Sequence, residues 1–404
     1  MHRGKRGNSD DGVVAVIVTF FFGASVLVVL LALVIDIGTM QWERRQLQNG
    51  ADAAVARAAL DCVLNDGSTH ICGSLAAPIS VASLNAADGA ETITATDLCG
   101  AGNPALTACT TVGTGVHNCP TATMPPNYVR VTASTWSAGG SRFVPQFFSS
   151  AIPGVGPRTL SACSLAAWGA PAEISSSAPF AIGAGCWQQQ LAYAAAQGLP
   201  AYPTSPSYTG VAGVGASPEP SNYEMALALS GNGTGSGTNN CTSTANINGG
   251  FGWLTPTTSG SDTCFLDFMY NQTTSNPGAS LSQASCQDKM NALVNATPTA
   301  NNKFTPAYFN RISYIPVFDS ATGTTYHVTG FAAFYMTGYQ VPSLGKNAAP
   351  RNDALACPSN SVCIYGWFLK SSLLASSAAS LTSSTGVTNT SGTNYGLNVV
   401  SLVG

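Results

Sequence analysis

The sequence predicts an α+β protein with an N-terminal transmembrane helix, a long amphipathic extension of that helix, and disulfide-rich, antiparallel β-containing extracytoplasmic domains. Three observations support this prediction. Residues 13–35 form an apolar run without a charged residue. Residues 36–64 lack proline and are rich in helix formers. All 12 cysteines follow the apolar run, among short strand-like segments separated by turns.

The run from Val13 to Ile35 is long enough to cross a membrane as a helix. A hydrocarbon core of about 30 Å requires about 20 residues, so the run crosses it with some tilt. The apolar core of a cleaved signal peptide is roughly 7–15 residues long and ends at a small-x-small site. This run is longer and ends at Asp36 without such a site. We therefore expect a retained single-pass span, preceded by a polar cytoplasmic tail at residues 1–12.

The cysteines indicate the orientation better than the flanking charges do. The basic residues near the span are Arg3, Lys5 and Arg6 before it, and Arg44 and Arg45 after it. Their distribution gives a mild preference for a cytoplasmic N-terminus. A cysteine content of 12 beyond the span is typical of an oxidising compartment. The bulk of the chain is therefore predicted to lie outside the cytoplasm.

The composition argues against nucleic acid as a partner, and the length allows two domains beyond the span. Charged residues are 8% of the chain and the net charge is -3, so no basic surface is available for nucleic acid. The chain beyond the span is long enough for two domains. The small, polar residues 170–178 suggest a boundary. We expect a first α+β domain at residues 65–172 and a second, α+β or mainly β, at residues 173–404.

A stripe of small apolar residues runs along the predicted helix at residues 36–64. Its members fall at helical spacing and are Leu47, Ala51, Ala54, Val55, Ala58 and Cys62. Polar residues such as Arg45, Gln48 and Asp52 fall elsewhere. Because the stripe is mostly alanine, another backbone can approach it closely. The partner is either the protein's own domain or other helices in an assembly.

The N-terminal segment also carries an ordered motif. Gly12 opens the apolar span, and Asp36-Ile37-Gly38 closes it. A basic pair and a small-residue run follow: Arg44, Arg45, Leu47, Gln48, Asn49, Ala51, Asp52, Ala53 and Ala54. From Gly12 to Leu60 the chain resembles the N-terminal segment of Tad (Flp) pilus assembly proteins, the TadE/TadG-like group. The fragments GGFGWL, PVFD and TGFAAFYMTGY are more loosely similar to longer TadG-like members.

This resemblance implies a membrane-anchored structural component of a Tad/Flp-type pilus assembly or secretion machinery. It implies contacts with other pilus or Tad-system proteins through the N-terminal helix, and a pilin-like first part in which a small antiparallel sheet follows a long helix. Pilins cut by a prepilin peptidase usually have Glu at the fifth mature position. Cutting after Gly12 would place Ile17 there, and cutting after Gly7 would place Gly12 there. We therefore expect a permanent anchor without pilin-type processing.

The remaining secondary structure is predicted from short patterns. Alternation or aromatic content predicts strands at Tyr128–Thr135, at Arg158–Trp168 and in NINGGFGWL, SYIPVFDS, TYHVTGFAAFYMTGYQV, CIYGWFLK and YGLNVVSLVG. Helices are predicted at Trp187–Ala196 and in SLSQASCQDKMNALVNA. Phe143, Phe147 and Phe148 suggest a short helix or a packed loop.

Spacing suggests two local disulfides, Cys357–Cys363 and Cys62–Cys72, and leaves the other connectivities open. Two histidine-containing sets are the alternative: Cys62, His70 and Cys72, and Cys109, His117 and Cys119. Their spacing is wider than the paired ligands of zinc sites, so we expect no metal.

Motifs for catalysis or cofactor binding are lacking in the sequence, so we expect no enzyme activity and no cofactor. His327 falls within a strand pattern, which suggests a solvated or hydrogen-bonded histidine. Asp319 to Gly323 has alanine and glycine where a von Willebrand factor A metal site has serines, and is interpreted as a turn. Aromatic strands and hydroxyl-rich loops leave a surface adhesin or glycan-binding protein as the alternative. An anchored extracellular hydrolase is a less favoured third hypothesis.

Overall fold

A computed structural model of the chain describes residues 10–65, 67, 70–85, 91–93, 97–110, 119, 124–135, 160–176, 180–203, 223–228, 251–253, 266–271, 273–275, 312–322, 325–341, 346–348, 357, 362–375, 379–380 and 392–403. The expectations for Phe143, Phe147 and Phe148, and for the helix at residues 280–296, lie outside these residues, as does most of the N-terminal tail.

The described helices are α1 (Asp10–Leu64), α2 (Ala76–Ser83) and α3 (Ala184–Ala196). The described strands are β1 (Glu91–Thr92), β2 (Leu98–Ala101), β3 (Tyr128–Thr135), β4 (Ser161–Gly169), β5 (Glu173–Ser176), β6 (Phe180–Gly183), β7 (Met225–Ala228), β8 (Phe251–Trp253), β9 (Leu266–Met269), β10 (Thr273–Ser275), β11 (Ile312–Thr322), β12 (Thr325–Val341), β13 (Lys346–Ala348), β14 (Cys363–Leu369), β15 (Ser371–Leu374), β16 (Ala379–Ser380) and β17 (Leu397–Val403). This mixture of helices and mostly antiparallel strands confirms the predicted α+β class.

The predicted span and its predicted extension form one continuous helix. Helix α1 contains 55 residues and is therefore about 80 Å long. It contains no proline, and Gly50 does not interrupt it. The backbone of α1 is therefore one unbroken helix. Its N-terminal half is exposed, and its C-terminal half packs on the folded part.

The C-terminal half of α1 packs on the first sheet, in which β1 and β2 both pair with β3 and the order continues β3-β4-β17-β15. Leu47, Ala51 and Ala54 are fully buried against this sheet. On the sheet side, Val129 and Val131 belong to the same core. The alanine stripe therefore packs on the protein's own domain, which settles that alternative for this half of the helix.

Two strands from the end of the chain complete the first sheet. Strand β17 pairs antiparallel with β4 and parallel with β15. Its Val400 faces the α1 core, whereas Leu397 and Val399 join a second core on the other side. Residues 371–374 and 397–403 were predicted to belong to the second domain, residues 173–404, because domains were expected to follow one another along the chain. The structure differs because β17 has apolar residues on both faces and is covered on both.

The second sheet has the order β7-β14-β12-β11-β6-β8, with β10 and β13 also paired to β12. Strand β12 is buried on both faces. On one face Tyr335 stacks on Trp367 at 4.7 Å between ring centroids, and on the other Phe334 meets Phe368 edge-on at 5.4 Å. Burial on both faces explains the near-continuous apolar run of this strand. A small third sheet, β16-β5-β9, packs on the face that carries Tyr335 and Trp367.

Helix α3 begins three residues earlier than predicted and ends as predicted, at Ala196. Its Gln190 is buried and binds the backbone of β14 through both ends of its amide. The Nε2 atom donates to the carbonyl of Phe368 at 3.0 Å, and Oε1 accepts from the amide of Phe368 at 2.7 Å. Strand β7 pairs with β14 up to Gly366, so Gln190 replaces a neighbouring strand where β7 has ended.

Replacing Gln190 by Ala should lower the free energy of unfolding by about 2 kcal/mol, because two buried backbone groups of Phe368 lose their partner. Gln188 lies on the same helix but is exposed, so Gln188→Ala is the matched control and should cost much less. Urea unfolding of both variants in mild detergent measures the difference. Equal losses in the two variants would contradict this role.

Candidate functional site

The N-terminal half of α1 is an apolar surface that the described fold does not cover. Between Val13 and Ile35 the large side chains are exposed, from 42% for Ile35 to 73% for Phe20. In the most apolar segment of this helix no residue is buried, and the helix is long and apolar enough to cross a membrane. Folded domains rarely leave so large an apolar surface exposed without a partner. This half of α1 therefore fits a membrane anchor.

The hydroxyl groups within this segment find their hydrogen-bond partners in the helix itself. Thr19 donates to the carbonyl of Ala15 at 2.8 Å, and Ser25 donates to that of Phe21 at 2.7 Å. A hydrocarbon environment supplies no hydrogen bonds, so polar groups there need partners within the protein. These residues are therefore compatible with an apolar surrounding.

The motif residues after the span divide into a buried set and an exposed set. Asp36 is 2% exposed, and Leu47, Ala51 and Ala54 are fully buried. The half-buried members are Arg44, Gln48, Asp52 and Ala53, of which Gln48 donates to Asp52 at 2.8 Å and to the carbonyl of Cys163 at 3.3 Å. The exposed members are Gly38, Arg45 and Asn49. Gly12 lies in the first turns of α1.

Polar contacts fix the C-terminal end of α1 to the folded part. Asp61 is buried and accepts hydrogen bonds from Arg57, one helical turn earlier, at 3.0 Å. The Nδ1 atom of His70 lies 2.8 Å from Asp61 Oδ1, the same oxygen that Arg57 Nη2 contacts. Lys370 donates to the carbonyl of Leu64 at 2.7 Å, where a cation suits the negative end of the helix dipole.

Both disulfides named from the sequence are present in the structure. Cys62 and Cys72 are joined with their Cα atoms 4.1 Å apart, and Cys357 and Cys363 with theirs 6.1 Å apart. The structure adds two further bonds, Cys99–Cys109 and Cys119–Cys163. Every cysteine in the described part of the chain is disulfide-bonded.

These disulfides include the cysteines of both alternative metal sets, Cys62, His70 and Cys72, and Cys109, His117 and Cys119. The sulfur atoms of Cys62 and Cys72 are bonded to each other, and those of Cys109 and Cys119 are bonded to other cysteines. A disulfide has no thiolate to offer a metal. His70 points to Asp61 instead, and His117 lies outside the described residues.

His327 is a hydrogen-bonded strand residue, as the sequence predicts. Its Nδ1 lies 2.9 Å from Asp319 Oδ1, and its Nε2 lies 2.7 Å from Asn271 Oδ1. Both ring nitrogens therefore have a neighbouring polar atom. Residues 319–322 belong to β11, so the interpretation of this segment as a turn was wrong for them, and Gly323 lies outside the described residues. The strand continues because it pairs with β12 through a bulge at this position.

The aromatic residues that suggested glycan binding lie in the core where the structure describes them. Phe331, Tyr335 and Trp367 are fully buried and cannot stack on a sugar. Trp187 and Tyr202 are half-buried and pack against the core of the second sheet, where Trp187 Nε1 donates to the Tyr202 hydroxyl at 2.8 Å. Burial raises the pKa of Tyr202 to about 12, an effect that the bond from Trp187 partly opposes. Phe331, Tyr335 and Trp367 therefore serve the packing of the core.

Comparison with known proteins gives one match. Residues 12–61 match the family model of Flp pilus-assembly TadE/G-like proteins, named Tad. No curated protein and no solved structure was found to match the chain. The match confirms the resemblance predicted from the motif, and it covers the exposed apolar half of α1 together with its junction to the first sheet.

Proposed function

We propose that this protein is a membrane-anchored structural component of a Tad/Flp-type pilus assembly or secretion machinery, and that it acts through protein contacts without catalysing a reaction. One observation carries the proposal. The segment that matches the family, residues 12–61, contains the large apolar surface that the folded part leaves uncovered. A segment of this kind serves an anchor or an assembly contact.

In this proposal the apolar half of α1 both anchors the protein and contacts other helices of the pilus system within the membrane. The C-terminal half is fixed to the first sheet by the alanine stripe and by the contacts of Asp61. Because α1 is continuous, the position of the anchor in an assembly determines the position of the folded part. The disulfides suit a location outside the cytoplasm, with the N-terminus inside.

The proposal is tested in the organism that carries the gene. Deletion should abolish Flp-type pili or the associated secretion, and the wild-type gene should restore them. A photo-crosslinking residue at Phe20, in the exposed span, should capture other Tad-system proteins. The same residue at Leu84, which is 82% exposed on the folded part, is the control. Normal pili in the deletion strain, with no crosslink from Phe20, would refute the proposal.

Orientation requires a separate measurement. A reporter that is active only in the cytoplasm, fused after Gly404, should be silent, whereas one active only outside should give signal. The reverse pattern would contradict the proposed orientation and leave the anchoring itself untouched.

A further inference from the structure

We propose that the lipid-contacting surface of α1 continues beyond Ile35 to Trp42 and Arg45, and that these two residues lie in the phospholipid headgroup layer and bind lipid phosphate. The folded part would then rest directly on the membrane surface. This inference depends on the proposed anchor, and it adds the depth of the helix and a lipid contact.

The exposed surface of α1 is continuous across the predicted end of the span. Ile35 and Trp42 are seven residues apart and therefore lie on the same side of the helix, two turns apart. Gly38 lies between them with no atom within 4 Å of a Cβ position. Ile37 and Trp42 are 45% and 56% exposed. The half-buried Thr39 on this side satisfies its hydroxyl at the carbonyl of Ile35, 2.7 Å away. No charged side chain therefore separates the span from Trp42 on this side.

Asp36 appears in the sequence to end the apolar surface, but the structure places it on the other side of the helix. It is the sole charged residue between Val13 and Trp42, and it is 2% exposed. Its position, four residues before Met40 and eleven before Leu47, continues the buried stripe of α1 toward the N-terminus. Apart from the buried Asp36, the helix carries no charge between Val13 and Trp42, and the half-buried Glu43 and Arg44 follow.

The distances along the helix match the layers of a bilayer. A hydrocarbon core of about 30 Å is flanked by polar layers that bring the total to about 40–45 Å. Trp42 lies five residues beyond Ile37, or about 7.5 Å at the helical rise. This distance places the indole in the polar layer when Ile37 marks the edge of the core. Arg45, about one turn further, reaches the same layer with its long side chain.

The chemistry of the two residues fits this layer. Tryptophan is enriched at membrane interfaces, where its ring is in contact with both apolar and polar groups. The planar guanidinium of arginine binds phosphate through two parallel hydrogen bonds. Trp42 and Arg45 are three residues apart and share one side of the helix. They form a pair suited to the interfacial carbons and the phosphate of one lipid.

The folded part begins at the same level on the opposite side of α1. Met40 packs against the core that α1 shares with the first sheet, and Leu47, five residues after Trp42, is fully buried in it. Trp42 therefore faces outward where the opposite side of the helix already contacts the domain. With Trp42 in the headgroup layer, the edge of this domain is at the membrane surface.

Depth-dependent quenching of Trp42 tests the proposal in the full-length protein. Nanodiscs contain phosphatidylcholine and phosphatidylglycerol, brominated either near the glycerol or near the end of the acyl chain. The emission of Trp42 is obtained as wild type minus Trp42→Phe, which removes the signal of the other tryptophans. We expect this difference signal to lose most of its intensity with bromine near the glycerol, and much less with bromine near the chain end.

Arg45→Gln should weaken the quenching of Trp42 by shallow bromine, because the helix loses its phosphate contact. Asn49→Gln, one turn further along the same side, is the control and should leave the quenching unchanged. Equal quenching in wild type and Arg45→Gln would overturn the role of Arg45.

The outcomes separate this inference from the proposed anchor. Release of the protein from membranes by alkaline carbonate would refute the anchor itself. Retention in the membrane with Trp42 quenched by aqueous acrylamide but not by brominated lipid would refute the lipid contact alone. A Trp42 signal shielded from both quenchers would show that a protein partner covers this surface, which would also overturn the proposal.

Discussion

Arginine introduced at both Phe22 and Val26 is expected to abolish retention of the protein in the membrane. The two residues lie near the middle of the apolar run and are 71% and 57% exposed, so the charged side chains would face the surroundings of the helix. Each arginine at the centre of a transmembrane helix costs about 3 kcal/mol of insertion free energy. The measurement is the fraction of protein that remains with membranes after an alkaline carbonate wash.

The control for this experiment is the double replacement of Phe22 and Val26 by leucine. It keeps the surface apolar and should leave the protein in the membrane fraction. Full retention of the double arginine variant, with both arginines open to labelling from water, would contradict an anchor at this position. Loss of both double variants from the membrane would indicate that side-chain shape, and not charge, matters there.

The elements that the sequence predicted best are those with a strong local pattern. Helix α1 follows from a long proline-free segment, and β12 follows from a run of aromatic and β-branched residues; the structure has this strand at the bounds of the predicted segment, Thr325–Val341. The Tad resemblance also rested on adjacent residues, from Gly12 to Leu60. In each case the information is local, so neighbouring residues suffice to predict the element.

The contacts between distant segments could not be predicted in this way. The place of β17 beside β4 depends on residues more than 200 positions apart. The bond from Gln190 to the backbone of Phe368 has a sequence separation of 178 residues. Asp36 appeared to be the polar end of an apolar run, because its burial depends on the folded part that surrounds it. Partners of this kind become visible when the tertiary structure is known.

The same limit applied to the alanine stripe of α1. Spacing alone identified which residues share a side of the helix, but it was equally compatible with the protein's own domain and with neighbouring helices. The structure places Ala51, Ala54 and Ala58 against β3 and β4. Small residues on this side permit a close approach of helix and sheet. This close approach leads to the second prediction of large effect.

Replacing Ala54 by Phe should lower the free energy of unfolding by about 3 kcal/mol, at the upper end for overpacked cores. Ala54 is fully buried among Val129 and Val131 of β3 and the other members of this core. A phenyl ring at this position has no space unless α1 moves away from the first sheet. Asn49→Phe introduces the same ring on the exposed side of the helix and is the matched control. Denaturant unfolding in mild detergent compares the two variants.

Hydrogen exchange shows which elements of the Ala54→Phe variant are destabilised. Since α1 would separate from the first sheet, amide protection should fall in residues 47–63 and in β3, while β12 in the second sheet should remain protected. In the wild type, α1 is continuous and its C-terminal half packs on the first sheet. The Phe variant should therefore stay in the membrane but lose the fixed orientation of its folded part. Unchanged protection at residues 47–63, or an equal loss in Asn49→Phe, would show that the stripe does not hold the helix to the sheet.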